Sequence, residues 1–153
     1  MKILLTGMSG VGKSTLLRAL KTPDNLTVDM DYDGWIKYSD AYGERAIDTV
    51  RVLRLFEAHP GREIILCGTA INQGELYAHL DRVIVLIAPL DVMHRRIMER
   101  TNNPFGKSRG EWARIVRDKA ETEPLLLRGC SHVVDTSGTL EEALARIREC
   151  MKK

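Results

Sequence analysis

The residues best suited to chemistry lie between Gly7 and Thr15, where the sequence reads GMSGVGKST. This run matches the pattern GxxxxGK[ST], in which glycines let the backbone wrap around phosphates while N–H groups at a helix N-terminus point at the anion. Lys13 adds charge near the β and γ phosphates, and the Ser14 hydroxyl suits Mg²⁺. We therefore predict an ATP and Mg²⁺ site whose loop contacts are Gly7, Ser9, Gly10, Val11, Gly12, Lys13, Ser14 and Thr15.

Three carboxylates follow at alternate positions, Asp29, Asp31 and Asp33. They stand where a second strand should end, and the carboxyl ends of parallel strands line the ligand crevice of an α/β sheet. One carboxylate there can hold Mg²⁺ through water, and another can orient an acceptor hydroxyl or take its proton. We assign Asp31 to the metal and Asp33 to the acceptor. Asp29 is left out of the predicted site, because acidic residues at strand ends also form ordinary turns and helix caps.

A second cluster of charge follows the fourth predicted strand. Arg96 and Arg100 are four residues apart on a predicted helix, 91–101, and so share one helical face. Arginines brought in by a closing loop can stabilise the charge that develops on a transferred phosphoryl group. Residues 101–110 have the composition of such a lid. The alternative is an amphipathic helix whose arginines are only solvated.

The elements that would position these residues alternate along the chain. Apolar runs at 3–5, 26–30, 64–67, 83–87 and 133–134 read as strands, and all but 26–30 are near-continuously apolar, as expected of strands buried on both faces. Between them, helical periodicity covers 13–20, 45–58, 91–101, 109–127 and 140–151. Such alternation favours right-handed βαβ crossovers. We predict a three-layer α/β/α fold around a five-stranded parallel sheet, as one domain over 1–153.

The loop GMSGVGKST, with an Asp-x-Asp pair that starts 18 positions after Lys13, resembles the shikimate kinase and nucleoside monophosphate kinase group of P-loop kinases. In shikimate kinases the first aspartate of such a pair serves the metal and the second contacts the acceptor hydroxyl, which implies these roles for Asp31 and Asp33. An arginine-bearing helix leads into a mobile lid in that group. The resemblance therefore implies a basic set comprising Arg96, Arg100, Lys107 and Arg109.

The same resemblance suggests where the acceptor and the base lie. Small residues after the third strand, Gly68 and Thr69, would approach the substrate or the γ-phosphate, although shikimate kinases carry a glycine triplet of which only Gly68 remains. The acceptor identity is therefore open. The turn after the last strand, which contains Ser137, corresponds to the segment that cups adenine in related kinases. Thr139 in that turn also suits a helix N-cap.

The segment between the second and third strands closes over the acceptor in the kinase group. Its predicted helix carries Arg45, Arg51 and Arg54, which an anionic acceptor such as a nucleoside monophosphate would need. A hydroxyl acceptor would depend more on Asp33. An exposed helix face would carry the same arginines without any ligand.

Charge and cysteine content argue against a nonspecific nucleic-acid binder and against a cysteine-based metal site. The chain has 23 basic and 21 acidic residues, and a net charge of +2 argues against a nonspecific nucleic-acid binder. Its three cysteines are an odd number without metal-ligand spacing, which is typical of reduced thiols. We expect a cytoplasmic protein, a monomer or homodimer, that does not enter membranes.

Three functions fit these residues. The first is a phosphotransferase that moves the γ-phosphoryl group of Mg-ATP to a nucleoside monophosphate or a hydroxyl compound, with Lys13, Asp33, Arg96 and Arg100 as catalytic residues. The second is a nucleotide-dependent switch or ATPase without a small acceptor. The third is a polynucleotide end kinase, which the near-neutral charge disfavours.

Overall fold

A computed structural model describes residues 1–152 of the chain. The last residue of the predicted domain, Lys153, lies outside the described residues. The strands are β1 (Lys2–Gly7), β2 (Asn25–Asp29), β3 (Ile36–Ser39), β4 (Glu44–Ile47), β5 (Glu63–Cys67), β6 (Arg82–Ile87) and β7 (His132–Asp135). The helices are α1 (Lys13–Leu20), α2 (Thr49–Ala58), α3 (Leu90–Glu99), α4 (Arg109–Gly129) and α5 (Leu140–Met151), with a 3₁₀ helix at Gln73–His79.

The five predicted strands form one parallel sheet in the order β2-β5-β1-β6-β7. Because β1 is central and covered on both faces, Ile3, Leu4 and Leu5 are fully buried. Leu5 and Asp29 are both in register with Cys67, which places the ends of β1, β2 and β5 at one edge of the sheet. The prediction of a five-stranded parallel sheet is confirmed.

Two hydrophobic layers cover the sheet. On one face, α1, α3, α4 and α5 contribute buried side chains such as Leu17, Ile97 and Ile147 to a single cluster. On the other face, α2 and the 3₁₀ helix contribute Phe56 and Leu76. The three-layer architecture is therefore confirmed. No helix among the described residues has the length and apolarity that crossing a membrane requires.

The predicted helix at 45–58 is wrong in its first turn. Arg45 lies on β4, which pairs antiparallel with β3 in a hairpin from Ile36 to Ile47. The hairpin turns at Gly43, whose positive φ of 68° suits glycine. The helix begins only at Thr49, because the side chain of Asp48 caps it by accepting from the Arg51 N–H at 3.0 Å. The exposed Tyr38 lies on β3, and the exposed Tyr42 lies in the turn of the hairpin.

Candidate functional site

The loop between β1 and α1 has the shape that a phosphate needs. Gly12 has φ 93° and precedes α1, and the first helical bond runs from the Leu16 N–H to the Gly12 carbonyl at 3.0 Å. The N–H groups of the first turn thus have no partner within the helix and point out of its N-terminus, where an anion is stabilised. Gly10 has φ 87°, and a Cβ there would stand 2.8 Å from the Met93 carbonyl oxygen on α3. The loop is therefore packed closely against α3.

Lys13 lies across this loop. Its Nζ donates to the carbonyl oxygens of Gly7, at 2.7 Å, and Met8, at 3.0 Å. Burial lowers the pKa of the Lys13 ammonium, and the nearby carboxylate of Asp31 opposes that shift. Arg100 is also close enough to lower the pKa of Lys13. Lys13, Asp31 and Arg100 therefore share one electrostatic environment.

The structure pairs Ser14 with Asp29, which the sequence analysis left out of the site. The Ser14 Oγ donates to Asp29 Oδ2 at 2.5 Å. This happens because Asp29 is the last residue of β2, so its half-buried side chain reaches the start of α1. Asp29 also helps to hold the neighbouring Cys67 thiol neutral, since burial first and this carboxylate next raise the pKa of Cys67 to about 12. No local pattern singles out Asp29, because the predicted strand 26–30 runs one residue past the observed end of β2.

Asp31 follows Asp29 and faces the loop lysine. The Asp31 N–H donates to Asp29 Oδ1 at 3.2 Å. Although Asp31 is exposed, partial desolvation of its carboxyl group raises its pKa and the Asp29 carboxylate adds to the shift, while Lys13 and, more weakly, Arg45 oppose it. Of the two carboxylates that act on Lys13, Asp31 has the stronger effect and Asp29 the weaker one.

Asp33 is exposed and in a turn with φ 58°. Its backbone carbonyl accepts from Arg51 Nη1 at 2.7 Å, and the same guanidinium stacks on the Trp35 ring at 3.7 Å from its centroid. Arg45 donates to the Ile36 carbonyl at 3.2 Å. Arg54 is exposed on α2. Two of the three predicted acceptor arginines thus already hold the hairpin region together.

The predicted substrate pair Gly68 and Thr69 contacts protein groups. The Thr69 hydroxyl donates to the Gly7 carbonyl at 2.7 Å and accepts from the Gly7 N–H at 3.1 Å. A Cβ at Gly68 would stand 3.2 Å from the Met30 Cβ and 3.3 Å from the Ile36 side chain. Thr69 therefore braces the phosphate loop, and Gly68 lets the backbone pass close to the hairpin.

Arg96 joins the phosphate loop to the segment after β7. Its Nη1 donates to the Val11 carbonyl at 3.4 Å and to Thr136 Oγ1 at 3.1 Å, and its Nη2 donates to the Thr136 carbonyl. Thr136 is buried and donates to the Val11 carbonyl at 2.7 Å. Ser137 is exposed beside it, and hydrogen bonds from Ser137 hold the pKa of Asp135 below its usual value. The sequence analysis missed Thr136, whose hydroxyl no motif singles out.

Arg100 directly precedes the predicted lid, residues 101–110, and its side chain organises that loop. Its Nε donates to the Asn103 carbonyl at 2.9 Å and its Nη2 to the Phe105 carbonyl at 2.5 Å. Lys107 Nζ returns to the Arg100 carbonyl at 2.6 Å. Burial lowers the pKa of the Arg100 guanidinium, and Tyr32 opposes the shift. The loop from 100 to 108 is thus folded around one arginine, and Arg109 begins α4 as an exposed residue.

Comparison with known proteins identifies the family. Residues 3–119 match the family model described as "AAA domain". The chain belongs to the AAA domain family. A segment of 119 residues, 78% of this AAA domain chain, is 26% identical to the disease resistance RPP8-like protein 3 of Arabidopsis thaliana. That segment spans only 13% of the plant protein's length.

Solved structures similar to this AAA domain include two small kinases. A shikimate kinase from Acinetobacter baumannii in complex with shikimate has a TM-score of 0.67 and 18% identity, over 97% of this chain and 89% of that one. A gluconokinase from Sinorhizobium meliloti 1021 has a TM-score of 0.58 and 17% identity, over 98% of this chain and 94% of that one. The resemblance to the P-loop kinase fold expected from the sequence is confirmed.

The site of this AAA domain combines three chemical capacities at one edge of the sheet. The loop and helix N-terminus can hold phosphates. Ser14 and Asp29 converge as hard oxygen donors, which fit a site that gives Mg²⁺ a few protein oxygens alongside water and phosphate. Asp31 supplies a carboxylate coupled to the loop lysine. This set suits phosphoryl transfer better than redox or nucleophilic chemistry through the protein.

Proposed function

We propose that this protein transfers the γ-phosphoryl group of ATP to a hydroxyl group of a small molecule. The observation that carries the proposal is the convergence of Ser14 and Asp29 at 2.5 Å, beside Asp31 and Lys13, at the edge where β1 and β2 end. Phosphoryl transfer needs this combination, because the protein contributes mainly position and charge.

The phosphate loop, residues 7–15, would hold the nucleotide phosphates, with Lys13 leaving its backbone partners for the β and γ oxygens. Ser14 would hold Mg²⁺, and we move the carboxylate that assists it from Asp31 to Asp29 because Asp29 contacts Ser14. When bound, Mg²⁺ would neutralise charge on the phosphates. Arg96 and Ser137 would lie on the nucleotide side, since Arg96 contacts Val11 and the residue before Ser137.

Asp31 is proposed as the base for the acceptor, with Asp33 at the outer side of the same turn. The acceptor oxygen forms a bond to the γ-phosphorus, the bond from phosphorus to the β–γ bridging oxygen breaks, the hydroxyl proton passes to Asp31, and ADP leaves. A raised pKa makes the ionised Asp31 carboxylate a stronger base than an ordinary aspartate. Arg100, whose charge acts on Lys13, would leave its backbone partners Asn103 and Phe105 to stabilise the transferred group.

The contacts of Arg45 and Arg51 favour a hydroxyl acceptor over a nucleoside monophosphate. A phosphate-bearing acceptor needs free guanidinium groups for paired hydrogen bonds. Arg51 stacks on Trp35 and donates to the Asp33 carbonyl, and Arg45 donates to the Ile36 carbonyl. Releasing these two groups would cost hairpin contacts and would leave only the exposed Arg54 for a phosphate, whereas a hydroxyl needs only a carboxylate partner.

The test is ADP release from Mg-ATP against a panel of sugars, sugar acids, shikimate-like acids, hydroxylated antibiotics and nucleoside monophosphates. Lys13→Ala serves as the blank. One neutral or carboxylate-bearing alcohol should stimulate release, and Asp31→Asn should remove the stimulation while leaving ATP affinity within about twofold. Stimulation by a nucleoside monophosphate would refute the hydroxyl assignment. Slow ADP release that no acceptor increases would favour the nucleotide switch.

A further inference from the structure

The segment from Thr69 to Gln73, which we call the strap, contacts both halves of the site. At one end, the Thr69 hydroxyl pairs with both the carbonyl and the N–H of Gly7, at 2.7 and 3.1 Å. At the other end, Asn72 Oδ1 accepts from the Ile47 N–H at 2.8 Å and Asn72 Nδ2 donates to the Ile47 carbonyl at 3.0 Å. Each end thus occupies both backbone groups of one residue, the first in the phosphate loop and the second in the hairpin.

Asn72 acts toward the hairpin as a neighbouring strand would. A side-chain amide offers one acceptor and a donor beside it, which matches the N–H and carbonyl of one strand residue. Ile47 is the last residue of β4 and lies opposite Ile36 on β3. A two-stranded hairpin is marginally stable by itself, so its orientation depends on outside contacts. Asn72 is 6% exposed, and its pair with Ile47 is such a contact in a dry environment.

The strap has a further anchor at its last residue, Gln73. Gln73 is buried, and its Oε1 accepts from Thr6 Oγ1 at 3.0 Å while its Nε2 donates to the Tyr77 hydroxyl at 2.8 Å. A buried network with every polar group satisfied has one arrangement at low energy. The strap therefore fixes how far the hairpin stands from the phosphate loop.

We propose that Asn72 is a positioning residue for the acceptor: through Ile47 it fixes the hairpin, and with it Arg45 and the turn that carries Asp31. The role rests on the proposed function, because the position of the hairpin matters to catalysis only if an acceptor binds beside it. Asn72 touches neither the phosphate loop nor the reacting groups. Its loss should thus be felt on the acceptor side alone.

Amide hydrogen exchange of Asn72→Ala tests this without knowledge of the acceptor. Protection of residues 36–47 should fall about tenfold, because two buried hydrogen bonds are lost, and affinity for Mg-ADP should stay within about twofold. Thr69→Val should do the opposite, weakening Mg-ADP with hairpin protection retained. The matched control is Asn25→Ala, since Asn25 is also 6% exposed but lies at the far end of β2. It should leave the hairpin unchanged.

Asn72→Asp gives a readout that a merely structural role would not produce. A neutral carboxyl group has its C=O and O–H where the amide has its C=O and N–H, so it can restore both bonds to Ile47. Ionised, it loses the donor and places a charge in a buried site. Hairpin protection, corrected for intrinsic exchange, should return on acidification in Asn72→Asp and not in Asn72→Ala.

Three results would overturn the proposal. These are unchanged hairpin protection in Asn72→Ala, loss of protection spread evenly over β1, β5 and β6, and Mg-ADP weakened as much as in Thr69→Val. With an acceptor from the panel, Asn72→Ala should raise the acceptor KM several-fold and, because Asp31 is displaced as well, lower kcat, with the ATP KM unchanged. A raised ATP KM with the acceptor KM unchanged would contradict positioning. If no compound of the acceptor panel is phosphorylated, the proposed function is refuted. Hydrogen exchange alone then decides whether Asn72 orients the hairpin.

Discussion

Replacing Asp29 by asparagine tests which carboxylate, Asp29 or Asp31, assists the binding of Mg²⁺. The substitution keeps the size of the side chain but removes the negative charge that accepts from Ser14 Oγ at 2.5 Å. Hydrogen bonds to charged groups contribute about 1.5–3 kcal/mol, and because Asp29 is only half buried we take the lower value, about 1.5 kcal/mol. That energy corresponds to about tenfold in an equilibrium constant. Groups that orient a metal ligand commonly cost 10–100-fold when removed.

We expect Asp29→Asn to raise the Mg²⁺ concentration for half-maximal ATP binding about tenfold, with metal-free ATP affinity unchanged or slightly improved. A fluorescent ATP analogue titrated at several fixed Mg²⁺ concentrations measures both quantities. Asp24→Asn is the control, because it makes the same change in the exposed loop just before the start of β2. The reasoning fails if Asp29→Asn leaves the Mg²⁺ dependence unchanged while Asp31→Asn shifts it, which would return the metal to the original assignment.

Three further outcomes follow from the packing and the charges. Gly106→Ala should lower the Tm more than Gly43→Ala. Both glycines have positive φ, so alanine should cost about 1 kcal/mol of backbone strain at each. A Cβ at Gly106 would also stand 2.6 Å from the Ile115 side chain, which should cost about 1–3 kcal/mol more. The kcat of the wild-type chain should fall as pH falls through the raised pKa of Asp31, at a higher pH than for an ordinary aspartate. Any residual transfer by Asp31→Asn should show no such acid limb, and an acid limb in that residual rate would exclude Asp31 as the base. Alkylation at pH 8 followed by mass spectrometry should spare Cys67, which is fully buried with a pKa of about 12, while the other two cysteines react; early labelling of Cys67 would contradict its burial.

The fold was predictable because its signals are local. Buried parallel strands are continuous apolar runs, and the phosphate loop has a spacing that few other structures need. The hairpin was not predicted, because the helical periodicity of 49–58 was extended back to Arg45, which lies on β4. Only the N-cap residue Asp48 separates β4 from α2. Aspartate is common both in turns and at helix N-caps, so its presence in the sequence does not show where the helix begins.

The acidic site was predictable as a cluster but not residue by residue. Alternating aspartates are equivalent in the sequence, and the choice among them depends on where β2 ends relative to α1, which is set by the register of β2 with β5. Contacts such as that of Thr136 with Val11 join residues 125 positions apart and carry no local signal. The lid shows the same limit, since the composition of 101–110 does not reveal that Arg100 organises the loop through backbone carbonyls.

The most direct test of the central claim follows the γ-phosphoryl group itself. ATP labelled in that group is incubated with the protein, Mg²⁺ and the acceptor panel, and the products are separated by chromatography. We predict a labelled phosphate ester of one hydroxyl compound, formed by the wild-type chain and absent with Lys13→Ala. Label found only as inorganic phosphate, with every acceptor present, would contradict phosphoryl transfer and leave a nucleotide hydrolase.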